Sequence, residues 1–233
     1  IAAKNDPVRG ILLIMTAIAL FVVMDANAKY LSHYLPVIQI VWARNTFALL
    51  FLCIMLRRHH PLLLLRTTSP KLQIVRSLLL FGSTWFFFAA IHYIPLADAS
   101  SISFVTPLMV TALSVPFLGE KVGVRRWTAI AVGFVGALIV IRPGPGLLQS
   151  AAVLPLLSAT CFAFYQIATR ILATRDHAYT TSLWSPLVGA LFTSAMMPFL
   201  WHPPTLQQWP LLLLIGALGG FSHFVFIRAY EYA

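Results

Sequence analysis

Apolar residues run along this chain in blocks too long for the buried helices of a soluble core. Eight such blocks can be drawn, at about 11–31, 36–56, 74–94, 97–118, 123–141, 151–171, 181–200 and 211–231. A membrane-spanning helix needs roughly 20 mostly apolar residues, so each block is long enough to cross a bilayer. Polar punctuation falls between them. Asn5-Asp6-Pro7 is a cap with proline in the first turn, His33-Tyr34-Leu35-Pro36 a short turn, and Arg57-Arg58-His59-His60 a basic stop. The stretch 61–73, apolar but broken by Arg66 and Lys71, is expected at the membrane interface, and Ser69-Pro70 reads as the opening of the third helix. Pro107 and Pro116 should bend the fourth helix, Gly133 and Gly136 should give the fifth a face for close helix approach, and Pro143-Gly144-Pro145-Gly146 should end it. The predicted fold class is an all-α polytopic membrane protein.

The pattern then begins again. Phe162–Ala173 lies over Phe21–Ser32 at an offset of 141, Trp184 over Trp42 at 142, and Ala229–Ala233 over Ala90–Ile94 at 139. Three matches in order at nearly one offset predict an internal repeat, with a first half over 1–142 and a second over 147–233. The repeating unit has five helices, so the second copy must be inserted upside down, as in secondary transporters. The first half continues past Ile94 through two more helices and the second has no counterpart to them. The chain therefore reads as about eight helices of an expected ten-helix fold, and its start at Ile1 reads as lacking the natural N-terminus.

Composition agrees: 60% of the 233 residues are hydrophobic and 9% charged, too few charges to cover a soluble domain. The formal net charge of +10 reports topology rather than a nucleic-acid partner. Lys4, Arg9, Arg57, Arg58, Arg66, Lys71, Arg76, Lys121, Arg125, Arg126, Arg170 and Arg175 fall on the N-terminal side of the alternating segments, while only Lys29 and Arg142 fall opposite. By the positive-inside rule this places the N-terminus in the cytoplasm and the protein in an inner (plasma) membrane. No basic run is interleaved with aromatics on a soluble module, which argues against nucleic-acid binding. Cys53 and Cys161 are too few for a disulfide framework and read as packing residues inside helices, and no cleavable signal is visible.

The block Ala90–Arg142, with its Ala-x-x-Tyr-x-Pro turn, Pro107, Leu118-Gly119-Glu120 and glycine-bearing fifth helix, resembles the EamA family of the drug/metabolite transporter superfamily. The resemblance covers one complete unit and about two-thirds of another. It implies a ten-helix carrier of two inverted five-helix repeats that moves small metabolites by alternating access. Helices 1–4 and 6–9 would surround a central cavity, with helices 5 and 10 supporting it from outside or pairing protomers into a homodimer.

Asp25 and Arg44 form the sharpest pair of candidate site residues. On consecutive helices, both lie roughly 9–12 Å below the outer surface at 1.5 Å of rise per residue. Ionisable residues at that depth are costly and mark cavities or functional pairs, so they are expected as substrate anchors or gates, the alternative being a structural ion pair. Thr84, Trp85 and His223 fall near the midplane, where carriers of this type bind substrate, and the repeat sets His223 against Thr84. His223 could also serve proton coupling. Tyr165 and Gln166 align with Met24 and Asp25 and extend the site to the sixth helix. Trp42 and Trp184, near helix ends, read as interfacial anchors with a cavity role as the alternative, His92 and Glu231 as interface residues with a gate role as the alternative, and Glu120 as loop structure.

Enzymatic readings are poorly supported. Ser222 and His223 are sequence neighbours, and adjacent helical residues point about 100° apart, which prevents a nucleophile–base contact. No His-Glu-x-x-His motif or phosphate loop appears, so no metal or cofactor is expected. The expected partners are a small-molecule substrate and the lipid bilayer. The expected function is export of a small organic metabolite, such as an amino acid or related zwitterion, on a proton or substrate gradient. A non-transporting membrane scaffold or sensor is the alternative.

Overall fold

The computed structural model describes residues 7–56, 65–120, 122–141 and 151–229. The readings made for Asn5-Asp6, Arg57–His60, 61–64, Lys121, Arg142, Pro143–Gly146 and Glu231 lie outside these residues. Among them every regular element is helical: α1 (Pro7–Leu31), α2 (Val37–Met55), α3 (Pro70–Tyr93), α4 (Leu96–Ser103), α5 (Thr106–Leu118), α6 (Val124–Ile141), α7 (Val153–Ala173), α8 (Ala178–Leu200) and α9 (Gln208–Ala229). Among the described residues seven helices, counting α4 and α5 as one stretch, are long and apolar enough to cross a membrane. The fifth predicted block, 123–141, forms α6, whose first turn carries Arg125 and Arg126.

The helices turn apolar surface outward. Along α1, Val8, Ile11, Leu12, Met15, Ile18 and Val22 are exposed on one side while Ala17, Met24, Ala28 and Leu31 are buried on the other. In water such a stripe would be a liability; in hydrocarbon it is the required solvent face.

The fourth predicted helix is broken. Phe104 and Val105 close α4 with amides directed to Ser100, Ser101 and Ile102 carbonyls, and α5 restarts with Pro107 in its first turn. Proline disfavours a helical residue before it and has no N–H to offer, so the interruption falls on its N-terminal side, while Pro116 remains inside α5. Gly119 ends α5 with φ of 69°, a left-handed value that glycine adopts without strain, and the amides of Gly119 and Glu120 reach back to Val115 and Ser114.

The chain divides into two compact units. Unit 1 comprises residues 1–78 and 169–233, and unit 2 residues 79–168. In unit 1, α9 packs on α1 and α2, and α2 packs on α8. Glycines set these contacts: Gly216 faces Phe47 and the Ala48 amide, Gly220 faces Ala48, and Gly189 faces the Asn45 side chain. Two polar knots tie loops to this unit. Gln39, fully buried at the start of α2, donates its Nε2 to the His202 carbonyl at 2.7 Å and accepts from the His202 amide at 3.0 Å. Asp176, in the α7–α8 turn, accepts at one oxygen from the Thr68 amide (3.0 Å) and hydroxyl (2.9 Å), and at the other from the Thr67 hydroxyl and Gln73 Nε2 (2.9 Å).

In unit 2, Val105 and Ala159 are buried with Leu108, Met109 and Leu156 around them, and Ser158 donates to the Ser83 carbonyl at 2.8 Å. Gly133 lies against Leu108, as its predicted packing role requires, but a side chain at Gly136 would meet nothing within 4 Å. The glycine face of the fifth helix is therefore used at one of its two positions. Cys161 is half-buried near Gly82, whereas Cys53 is exposed on α2 and does not pack in the core.

Candidate functional site

Three helices of unit 1 converge on one arginine. Arg44 is buried at 4% exposure in the middle of α2, and its Nη2 lies 2.7 Å from Nε2 of His223 on α9. A guanidinium only donates, so Nε2 accepts and the ring proton sits on Nδ1. From α1, Phe21 sets its ring edgewise on the imidazole at 4.8 Å, and Phe226 completes the aromatic group 6.5 Å from Phe21. Asp25, half-buried on α1, lies within electrostatic reach of Arg44. Met24 and Gly219 border the arginine stem. The result is a guanidinium, a carboxyl group and an imidazole among aromatic and thioether groups, all inside predicted spans.

The structure thus brings together Asp25, Arg44 and His223. Thr84, Trp85, Tyr165 and Gln166 belong to unit 2. Thr84 is buried with its hydroxyl donating to Leu80 one turn back, at 3.0 Å. Trp85 is half-buried with Phe81 as a ring neighbour at 6.5 Å. Tyr165 is fully buried and stacked on Phe162 at 5.3 Å, and Gln166 is half-buried. Trp42 and Trp184 donate their indole N–H groups to Ser194 Oγ (3.0 Å) and the Leu65 carbonyl (3.1 Å). His92 and Glu120 are exposed.

Two polar residues were not singled out from sequence. Arg76 was grouped with loop charges, yet it is fully buried in α3. Its Nε donates to Thr169 Oγ1 at 2.8 Å and its Nη1 to the Thr181 carbonyl at 3.0 Å and Ser185 Oγ at 2.7 Å. The signal was present: a helix opening at Ser69-Pro70 puts residue 76 nearly two turns inside. Asp176 is the second. Of the described acidic residues, Asp98 and Glu120 are exposed while Asp25 and Asp176 are not. Burial of Asp176 opposes its charge, but bonds from Thr67, the Thr68 amide, Gln73 and the Thr68 hydroxyl outweigh that and hold the carboxyl below its ordinary 3.8.

The arrangement binds charge and offers no nucleophile. Ser222 Oγ donates to the Leu218 carbonyl of its own helix at 2.5 Å, while His223 turns to Arg44. Among the described residues no three His, Cys, Asp or Glu side chains gather to hold a metal ion.

Comparison with known proteins gives a consistent picture. The EamA-like transporter family matches residues 8–142. A pseudopaline exporter of Pseudomonas aeruginosa is 33% identical over 236 residues, spanning 96% of this chain and 78% of that protein. An S-adenosylmethionine uptake transporter of Rickettsia bellii is 27% identical over 207 residues (89% and 71%), and a riboflavin transporter of Vibrio cholerae is 26% identical over 234 residues (99% and 78%). A crystal structure with 18% sequence identity matches with a TM-score of 0.71 over 95% of this chain and 79% of that one, a likeness of fold.

Proposed function

The chain belongs to the EamA-like transporter family, and from that premise we propose that it is a secondary carrier of an amino acid or related zwitterion, working by alternating access. That it is a multi-pass membrane transporter of small metabolites, rather than an enzyme, follows from the family and its apolar helices. In the proposed reading Arg44 takes the substrate carboxylate and Asp25 its ammonium group, and Thr84, Trp85, Tyr165 and Gln166 remain candidates within unit 2. The observation that carries this is the Arg44 guanidinium, buried inside a predicted span, bonded to His223 and within electrostatic reach of Asp25. A charge kept at such depth is expensive and marks a substrate or ion pathway. S-adenosylmethionine, named for the Rickettsia relative, carries an amino-acid end of the proposed class. The relatives are named for both export and uptake, so export by this chain rests on the proposal alone. The same reading includes two inverted halves, 1–142 and 147–233, a cytoplasmic N-terminus in an inner membrane, a proton or substrate gradient as driving force, and pairing of protomers.

The test is uptake of radiolabelled L-amino acids and S-adenosylmethionine into proteoliposomes, with and without an imposed proton gradient. At least one compound should show saturable flux. Loss of a hydrogen bond to a charged group is worth tenfold or more, so Arg44→Gln should raise KM by at least about tenfold. Asp25→Asn should act in the same direction, with both variants keeping the wild-type melting temperature. Wild-type flux with unchanged KM in both variants would overturn the assignment.

A further inference from the structure

Arg44 does not stand free in its site; it lies across one face of α9. A Cβ built on Gly219 would come 3.3 Å from Arg44 Cγ and 3.4 Å from its Nε, and 3.2 Å from Met24 Sδ. One turn further along the same face, His223 accepts from Arg44 Nη2 at 2.7 Å. The arginine therefore meets α9 at two places four residues apart, its stem passing over the space a side chain at Gly219 would fill and one end of its guanidinium bonded to His223. Phe21, edge-on at 4.8 Å, holds the imidazole from the side of α1.

We infer that Gly219 and His223 form a two-point cradle that fixes the plane of the Arg44 guanidinium, and that both are positioning residues for transport. This rests on Arg44 being a substrate anchor. A guanidinium is a rigid fork, so two contacts along its length fix the direction of its remaining N–H groups, and a lysine could not be held in this way. Preorganisation of this kind lowers the entropy lost when a carboxylate docks. The neighbouring glycines serve a different purpose. Cβ atoms at Gly216 and Gly220 would run into α2 backbone, at Phe47 C (2.9 Å) and Ala48 Cα (3.2 Å) respectively. Only at Gly219 does the space belong entirely to the side chains of Arg44 and Met24 among the nearest atoms. A methyl group there tilts the arginine without prising helices apart.

The cradle can be read without knowing the substrate. In protein labelled with 15N-histidine, His223 is assigned by its loss in His223→Gln, and its Nε2 resonance reports the bond from Arg44. Gly219→Ala should move that resonance in the same direction as Arg44→Gln while the melting temperature stays at the wild-type value. Adding Met24→Ala, which gives the new methyl group room, should move it back. In transport of whichever amino acid or S-adenosylmethionine the uptake panel identifies, Gly219→Ala and His223→Ala should raise KM about tenfold with Vmax unchanged, as expected for one lost bond to a charge. His223→Gln, which keeps an acceptor, should recover most of the affinity. An unmoved resonance in Gly219→Ala, or a loss confined to Vmax, would overturn the cradle. A resonance that responds as described while Arg44→Gln transports normally would leave the cradle standing and remove Arg44 from substrate binding.

Discussion

Hydroxyl groups in these helices find partners one turn back. Thr84 donates to Leu80, Thr193 to Gly189, Thr160 to Leu156 and Ser222 to Leu218, at 2.5–3.0 Å. The bonding lets a polar residue sit in hydrocarbon without a second helix to serve it, and it leaves only oxygen lone pairs for any other contact. Thr84 can therefore accept from a substrate but has no proton to give. Glycines divide as sharply. Gly216→Ala would drive a methyl group into Phe47 and should lower stability by about 1–3 kcal/mol. Gly136→Ala meets open space and should be neutral or stabilising by up to about 1 kcal/mol, both read from thermal melts in detergent. Asp25 and Arg44 were legible in the sequence because ionised groups inside apolar runs are anomalous by composition alone. Gly219 was not, because its meaning depends on which face of α9 meets Arg44, and periodicity alone does not fix which neighbour a face receives.

At the scale of elements, the α7–α8 turn is bound to the approach of α3 through Asp176. Its carboxyl is held below the ordinary 3.8, so the folded state binds the proton less readily than the unfolded chain does. The sign follows: the contribution to stability is complete above 3.8 and is lost as pH falls through the lower folded value. Asp176→Asn should reduce stability by about 1–2 kcal/mol at neutral pH and flatten the fall of melting temperature in acid, since its charge-assisted bonds are gone. The helix blocks themselves were legible to within a few residues, because hydrocarbon thickness sets their length. The interruption at Phe104–Val105 was displaced from Pro107 because proline acts on the residues before it. Arg76 looks like a charge at the edge of the apolar block, which starts at 74, but α3 opens at Pro70 and carries it into the buried part of the helix.

For the whole molecule, two polar knots join segments far apart in sequence. One joins the start of α2 to the approach of α9, and the other joins the α7–α8 turn to the approach of α3. Two inverted halves would produce this exchange, each half's first turn region meeting the other half's path to its third helix. Five of the blocks predicted from sequence, α6 included, separate residue 34 from residue 176, so if each spans, reporters inserted at these positions should signal opposite sides of the membrane, outside at 34 and cytoplasmic at 176. The same side for both would defeat the inverted arrangement. The knots were not legible in the sequence because they pair side chains with groups far away along the chain.

Gln39 imitates a length of main chain. Its amide offers His202 one donor and one acceptor, as a neighbouring strand would, so the residue before Pro203-Pro204 is paired as though it stood at the edge of a sheet. Only a carboxamide of this reach can act as such a counterfeit peptide. Glutamate, nearly the same shape, has no N–H and would set its charge against the His202 carbonyl, while asparagine falls one methylene short. A substitution table would rate both exchanges as mild; here each breaks a two-way fastening, and Gln39→Glu should be the harsher of the two.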